Sequence, residues 1–193
     1  MKKGWCRMSE PGIIWFRLRG LLIVPFFLFS ILWDGGEVNN LSLRYSLGAV
    51  LFAIGLYLRI WSQMHLHYRL KTHKVLTLTG PYVHVRNPIY IGNTFILTGI
   101  TVLAGLLWFV PIMILACAFT YHQTVLYEES HLKEKYGQGY IEFMDRVPRW
   151  MPVFKGVEER PGKNMQEFFW PSIFAELHIL LLLVPLILKE IFL

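Results

Sequence analysis

The chain has 193 residues, of which 54% are hydrophobic and only 17% charged, and its mean hydropathy is +0.43. Soluble domains carry about 25% charged residues, so a water-soluble globule is excluded and the long apolar runs call for lipid as solvent. The net charge of +6 sits in short segments between those runs, which argues for a bilayer partner and against nucleic acid.

Five membrane helices are predicted, within a single membrane domain spanning 1–193. The first covers about 13–33, with Arg17 and Arg19 able to snorkel to the interface, and ends at Asp34-Gly35-Gly36. No cleavable signal peptide is expected there, because no small-residue cleavage site follows the apolar run. The second helix covers about 43–64. These two occupy region 1–70. Region 71–152 is read as a core: a polar segment to 87, a helix over 88–103 opened by Pro88, a turn at Ala104-Gly105, and a helix over 106–127. The last two form a hairpin. A polar stretch from 128 to 163 is expected to hold one amphipathic helix. Region 153–193 is a linker and a fifth helix over 168–192, with a kink expected at Pro185.

Of the 19 lysines and arginines, five precede residue 20, four lie in 65–87 and seven in 128–167. Five alternating crossings put these three segments on one side, which the positive-inside rule makes cytoplasmic. The chain has two cysteines, Cys6 and Cys117. Cys117 lies in an apolar run, so no disulfide is expected, and no zinc-ligand spacing occurs. His65 and His67 stand two apart and so face away from each other on a helix; no metal is expected.

The chemistry-bearing residues flank the hairpin. On one side stand Gly80-Pro81-Tyr82 and Arg86-Asn87-Pro88-Ile89-Tyr90-Ile91-Gly92. On the other stand Glu128-Glu129-Ser130-His131-Leu132, Tyr136-Gly137, Tyr140 and Val147-Pro148. The hairpin brings both sets to its open end. In order and spacing they resemble the isoprenylcysteine carboxyl methyltransferase and phospholipid methyltransferase superfamily, over about 74–152.

That resemblance implies an all-α integral membrane bundle with a cytoplasmic cofactor-binding segment. It also implies S-adenosylmethionine as methyl donor, and an acceptor such as an isoprenylcysteine carboxylate, a phospholipid amine, a thiol or another lipophilic group. The cofactor contacts it implies are Lys74, Val75, Leu76, Thr77, Tyr82, Asn87, Pro88, Ile89, Tyr90 and Glu128. Arg86 and Glu129 are the candidate catalytic residues, Arg86 either taking the cofactor carboxylate or holding one of the two acids. The residues themselves agree. S-adenosylmethionine carries an ammonium, a sulfonium and a carboxylate. Glu128 suits the ammonium, and Tyr82 and Tyr90 offer ring faces to cations.

Three departures bear on the acceptor. The superfamily's His after Arg86 is Asn87, which cannot titrate. Its His ahead of the Leu76 run falls one place early, at His73, with Lys74 in the expected slot. Prenylcysteine enzymes place an Arg one turn before the acidic pair; here it is Thr124, and 89–127 holds no Lys or Arg. The sequence therefore favours a neutral or cationic acceptor near Thr124, His122 and Arg146, and a carboxylate would rely on Arg86, Arg146 or Arg149. His122, within the fourth helix, is a site candidate because ionisable groups there usually serve a function. Gly92 and Gly99, seven apart, predict close helix packing. The competing classes are a sterol-reductase-like enzyme using NADPH and a non-catalytic membrane scaffold. The oligomeric state is not readable from the sequence.

Overall fold

A computed structural model describes residues 10–33, 35, 40–68, 76–154 and 165–192. They form α1 (Glu10–Leu32), α2 (Leu41–Tyr68), α3 (Pro88–Leu103), α4 (Val110–Tyr136), α5 (Gln138–Arg146), α6 (Phe169–Glu176) and α7 (Val184–Phe192), with short 3-10 turns between them and no strand among the described residues. The protein is an all-α membrane bundle. Gly12–Leu32, Leu41–His67, Leu107–Tyr136 and Gln166–Ile191 are each long and apolar enough to cross a membrane, and α3 is the shorter apolar member that completes the five.

Two boundaries depart from the sequence reading, each for a physical reason. The fourth helix does not stop at the membrane surface near residue 127. It continues to Tyr136 and ends at Gly137, whose positive φ of 57° suits a residue without a Cβ. Glu, Lys and Leu after Tyr127 are good helix formers, so the backbone outlasts the hydropathy. In the last membrane segment the irregularity lies before Pro185 rather than at it: Leu177–Leu183 is 3-10. Pro185 has no N–H for Leu181, and its ring crowds that carbonyl.

Helices α2 and α3 pack antiparallel with their backbones in close approach. A Cβ on Gly55 would lie 2.6 Å from the Gly92 oxygen, and one on Gly99 would lie 2.7 Å from the Phe52 nitrogen. Gly48 and Gly55 on α2 thus meet Gly99 and Gly92 on α3, a small-residue seam of the membrane type. Helix α1 packs on α4 through aromatic rings, among them Phe29 on Phe109 and Phe16 on Tyr127.

Two ion pairs tie the last membrane segment to α2. Arg44 reaches Glu190 at the end away from the acidic pair. Inside the bundle, Arg59 Nε donates to Glu176 at 2.7 Å, and Arg59 also donates to the Asn93 side-chain oxygen on α3. Glu176 is 1% exposed. Buried charge in apolar surroundings persists only when so paired.

Candidate functional site

The segment 76–87 caps one end of the bundle. The 3-10 turn Gly80–Val83 is buried and is docked on α2 by His65, whose Nδ1 lies 2.8 Å from the Thr79 hydroxyl. Gly80, at φ +61°, presses on the same imidazole, where any Cβ would lie 2.4 Å from Nε2. The chain after α5 returns as a strap. Arg86 N–H donates to the Pro148 carbonyl at 3.0 Å, Val153 N–H to the His84 carbonyl at 3.0 Å, and the Asn87 amide to the Arg149 carbonyl at 3.4 Å. The apolar face of α5 seats this arrangement: Tyr140, Phe143 and Val147 pack with Leu76, Leu78, Leu132 and Tyr136.

The strap carries Arg149 to the acidic pair. Arg149 grips Glu129 with two donors, Nε to Oε1 at 3.0 Å and Nη2 to Oε2 at 2.6 Å. Arg86 faces the same carboxylate, with Nη1 3.1 Å from Oε1. These hydrogen bonds raise the Arg149 pKa further. Glu129 is 4% exposed, so two guanidiniums hold one buried carboxylate and leave a net positive charge. The contact from Arg86 is an ion pair without hydrogen-bond alignment, and its Nε and Nη1 are buried with no hydrogen-bond partner.

Glu128, the neighbouring acid, is set differently. Its one side-chain hydrogen bond among the described residues comes from the Tyr90 hydroxyl, at 2.7 Å, and no cation among those residues forms an ion pair with it. Tyr82 is buried nearby. Burial, then the Glu128 charge, raises its pKa, so it stays a neutral phenol. Tyr140 is likewise pushed up to about 12 by burial and then by Glu129.

The other sequence-predicted residues fall into three groups. Lys74 and Val75 lie outside the described residues. Leu76 and Thr77 line the approach to the Gly80 turn, and Pro88 and Ile89 form the first turn of α3, with Thr77 and Pro88 buried. The three acceptor candidates are scattered. Thr124 is fully buried, its hydroxyl donating to the Thr120 carbonyl at 2.8 Å. Arg146 is exposed on α5 and donates to the Glu142 carbonyl. His122 is exposed and lines an apolar groove of about 520 Å³ with Thr94, Phe95, Ala118 and Trp150.

The sequence offers Arg149 only as a carboxylate grip for an acceptor; its hold on Glu129 is a feature of the fold. Its position just after Val147-Pro148 was the available signal. Arg19, Arg59, Asn93 and Tyr121 were not read as one group, because they come from four helices. Two further cavities, of about 240 and 270 Å³, share Asn93, Leu97, Tyr121 and Leu182. The first adds Arg19 and Tyr90, and the second Arg59 and His178.

A profile of the phospholipid methyltransferase family matches residues 43–139, just over half of the chain. The cobalt-zinc-cadmium resistance protein CzcN of Cupriavidus metallidurans is 28% identical over 137 residues, covering 68% of this chain and 61% of that protein. The nickel-cobalt-cadmium resistance protein NccN of Alcaligenes xylosoxydans xylosoxydans is 24% identical over 140 residues, covering 72% of this chain and 63% of that protein. The chain thus spans about three fifths of the length of these curated relatives, and no solved structure matches it. With nearly all of α2, the α3–α4 hairpin and the acidic pair inside the matched residues, the chain belongs to the phospholipid methyltransferase family.

Proposed function

We propose that the chain is an integral membrane methyltransferase that uses S-adenosylmethionine and acts on a lipophilic acceptor at the cytoplasmic face. The observation that carries this reading is the asymmetry of the acidic pair. Glu128 has no cationic partner among the described residues, while Glu129 beside it is held by two arginines. A zwitterion fits such a place. Its ammonium goes to Glu128, and its carboxylate to the orphaned Arg86 donors, both through charge-assisted bonds in a partly desolvated site.

When bound, S-adenosylmethionine supplies a methyl group on a sulfonium, ready for direct displacement. The chain's own residues bind, orient and exclude water. Tyr90 fixes the Glu128 carboxylate, Tyr82 stays a buried neutral ring beside it, and Arg149 with Glu129 fastens the strap to Asn87. Lys74, Val75, Leu76, Thr77, Pro88 and Ile89 are assigned to the cofactor's remaining surface by the superfamily pattern. The acceptor is an isoprenylcysteine carboxylate, a lipid amine or a thiol.

The relatives are named for resistance to cobalt, zinc, cadmium and nickel. That role supplies a cellular setting for the methylation here, rather than a second chemistry.

Calorimetry of the purified protein with S-adenosylhomocysteine and with NADPH separates the enzyme classes. Heat with the first ligand alone is expected; binding of NADPH alone would favour a reductase, and of neither a scaffold. Transfer of labelled methyl from S-adenosylmethionine into a host lipid extract then identifies the acceptor. The Lys/Arg bias argues for an N-terminus inside and a C-terminus outside, so a reporter fused after Leu193 is expected to read as external. A cytoplasmic reading there would reverse the proposed orientation.

A further inference from the structure

Thr124 carries no charge for an anionic acceptor, Arg149 is engaged by Glu129, Arg86 is assigned above to the cofactor carboxylate, and Arg146 faces outward. A cation nonetheless reaches the same region from α1. Arg19 lies well inside the span that begins at Gly12, a depth at which an ionisable side chain marks a site by default. Its Nη1 donates to the Phe16 carbonyl at 2.6 Å and its guanidinium lies 4.1 Å from the Phe16 ring centroid. Among the described residues no carboxylate pairs with it. It lines the cavity of about 240 Å³ together with Tyr90, Asn93 and Tyr121.

The hydrogen-bond directions on that wall follow from Arg59. Arg59 donates to the Asn93 side-chain oxygen, which leaves the Asn93 amide nitrogen as a donor on the wall it shares with Tyr121. Tyr121, 6% exposed, keeps its own O–H proton to donate into the cavity. The Tyr90 proton is already engaged by Glu128. The polar wall therefore presents donors, one of them a full positive charge. The rest is apolar, including Ile23, Phe27, Leu97 and Leu182. The Tyr90 and Tyr121 rings, with centroids 4.9 Å apart, line this cavity side by side, and the Arg19 charge reaches Glu128 from it.

We propose that Arg19 and Tyr121, oriented by Asn93 and Arg59, bind the anionic head of an amphiphile whose apolar chain lies along Ile23, Leu97 and Leu182, and that this amphiphile is the methyl acceptor. The acceptor role rests on the methyltransferase reading; the binding site does not. The cation comes from α1, outside residues 43–139, so the family match leaves this specificity unassigned. It also reverses the preference for a neutral or cationic acceptor that Thr124 alone suggests. A carboxylate and a phosphate share the required chemistry: negative oxygens that accept from a guanidinium and a hydroxyl.

The test uses the full chain in phosphatidylcholine nanodiscs, with four probes of equal chain length: dodecanoate, dodecyl phosphate, dodecanol and dodecyltrimethylammonium. Either anion is expected to bind about tenfold or more tightly than the alcohol, the scale of a charged hydrogen bond, with the ammonium weakest. Whichever anion binds more tightly names the head. Arg19→Gln is expected to erase the preference for anions while S-adenosylhomocysteine binding persists, and Arg19→Lys to retain part of it. Tyr121→Phe keeps the ring packing and is expected to reduce the preference, so the idea stays testable if Arg19→Gln does not fold. No anion preference in the native protein, or an undiminished one in both Arg19→Gln and Tyr121→Phe, overturns the site. If the anion preference depends on Arg19 but S-adenosylhomocysteine does not bind the native chain, the methyltransferase reading fails and the anion site stands.

Discussion

Two clusters in this protein hold carboxylates on arginines, and they do different things with them. At the hairpin's open end, Glu129 joins Arg86 ahead of α3 to Arg149 on the strap. Deeper in the bundle, Glu176 on α6 joins Arg59 on α2, with Asn93 on α3 as the third member. The second cluster satisfies its charges and fastens the last membrane segment. The first leaves a surplus positive charge with orphaned Arg86 donors, beside Glu128, which has no ion pair among the described residues. For the cofactor the self-contained cluster is scaffold, its Arg59 and Asn93 serving the wall of the Arg19 cavity instead, and the cluster that leaves complementary charges unsatisfied is where a charged cofactor can bind.

The largest expected effect tests that division. Removing one partner of a buried pair costs about 3–5 kcal/mol, so Glu176→Ala and Glu129→Ala are each expected to lose that much stability in detergent unfolding. The double replacements should then part company. Arg59→Met with Glu176→Met is expected to regain most of the stability and to keep S-adenosylhomocysteine binding. Arg149→Met with Glu129→Met leaves Arg86 buried without its carboxylate, so it is expected to regain neither the stability nor the binding. If both doubles bind equally well, the clasp is scaffold too, and the comparison breaks.

Next in size is the contrast within the acidic pair. Glu128→Gln keeps the side chain's shape and the Tyr90 contact. It is expected to weaken S-adenosylhomocysteine binding by about 1.5–3 kcal/mol, the range for hydrogen bonds to charged groups, with stability unchanged. Titration calorimetry of the variant checks this, and unaltered affinity removes Glu128 as the ammonium partner.

The glycine seam beneath both clusters predicts a smaller change. A methyl at Gly55 meets the Gly92 carbonyl, so Gly55→Ala is expected to cost about 1–3 kcal/mol by overpacking. Gly139 has open space around it, and Gly139→Ala serves as the control. Equal melting shifts for the two would mean that the helices separate freely.

The smallest effect concerns Asn87, whose amide supports the Arg149 carbonyl. Asn87→His is expected to leave stability within about 0.5 kcal/mol. It should add a step to the pH–rate profile near the histidine range, about 6.5. The native profile should lack that step.

Much of this protein was legible in its residues because it depends on local pattern. Apolar runs of span length, Pro88 opening α3, the Ala104-Gly105 turn and the one-sided basic segments determine a helical membrane bundle with a hairpin. The order Gly80-Pro81-Tyr82, Arg86 to Gly92 and Glu128-Glu129 marks the ends that the hairpin must bring together. Within those segments, a residue's type also bounds its chemistry: Asn87 cannot titrate, and Thr124 carries no charge.

Only the tertiary structure decided which charges meet, because an ion pair depends on distance in space and has no period in sequence. Nothing local distinguishes Glu128 from Glu129. Their difference arises because side chains one residue apart on a helix point about 100° apart, so one faces the strap with its arginines and the other faces Tyr90. Arg59 met Glu176 because the paired glycines of α2 and α3 let those helices approach, and because the last segment lies against α2. Arg19 looked like an interface anchor; packing of α1 on α4 set it on the wall of a cavity with Tyr90 and Tyr121.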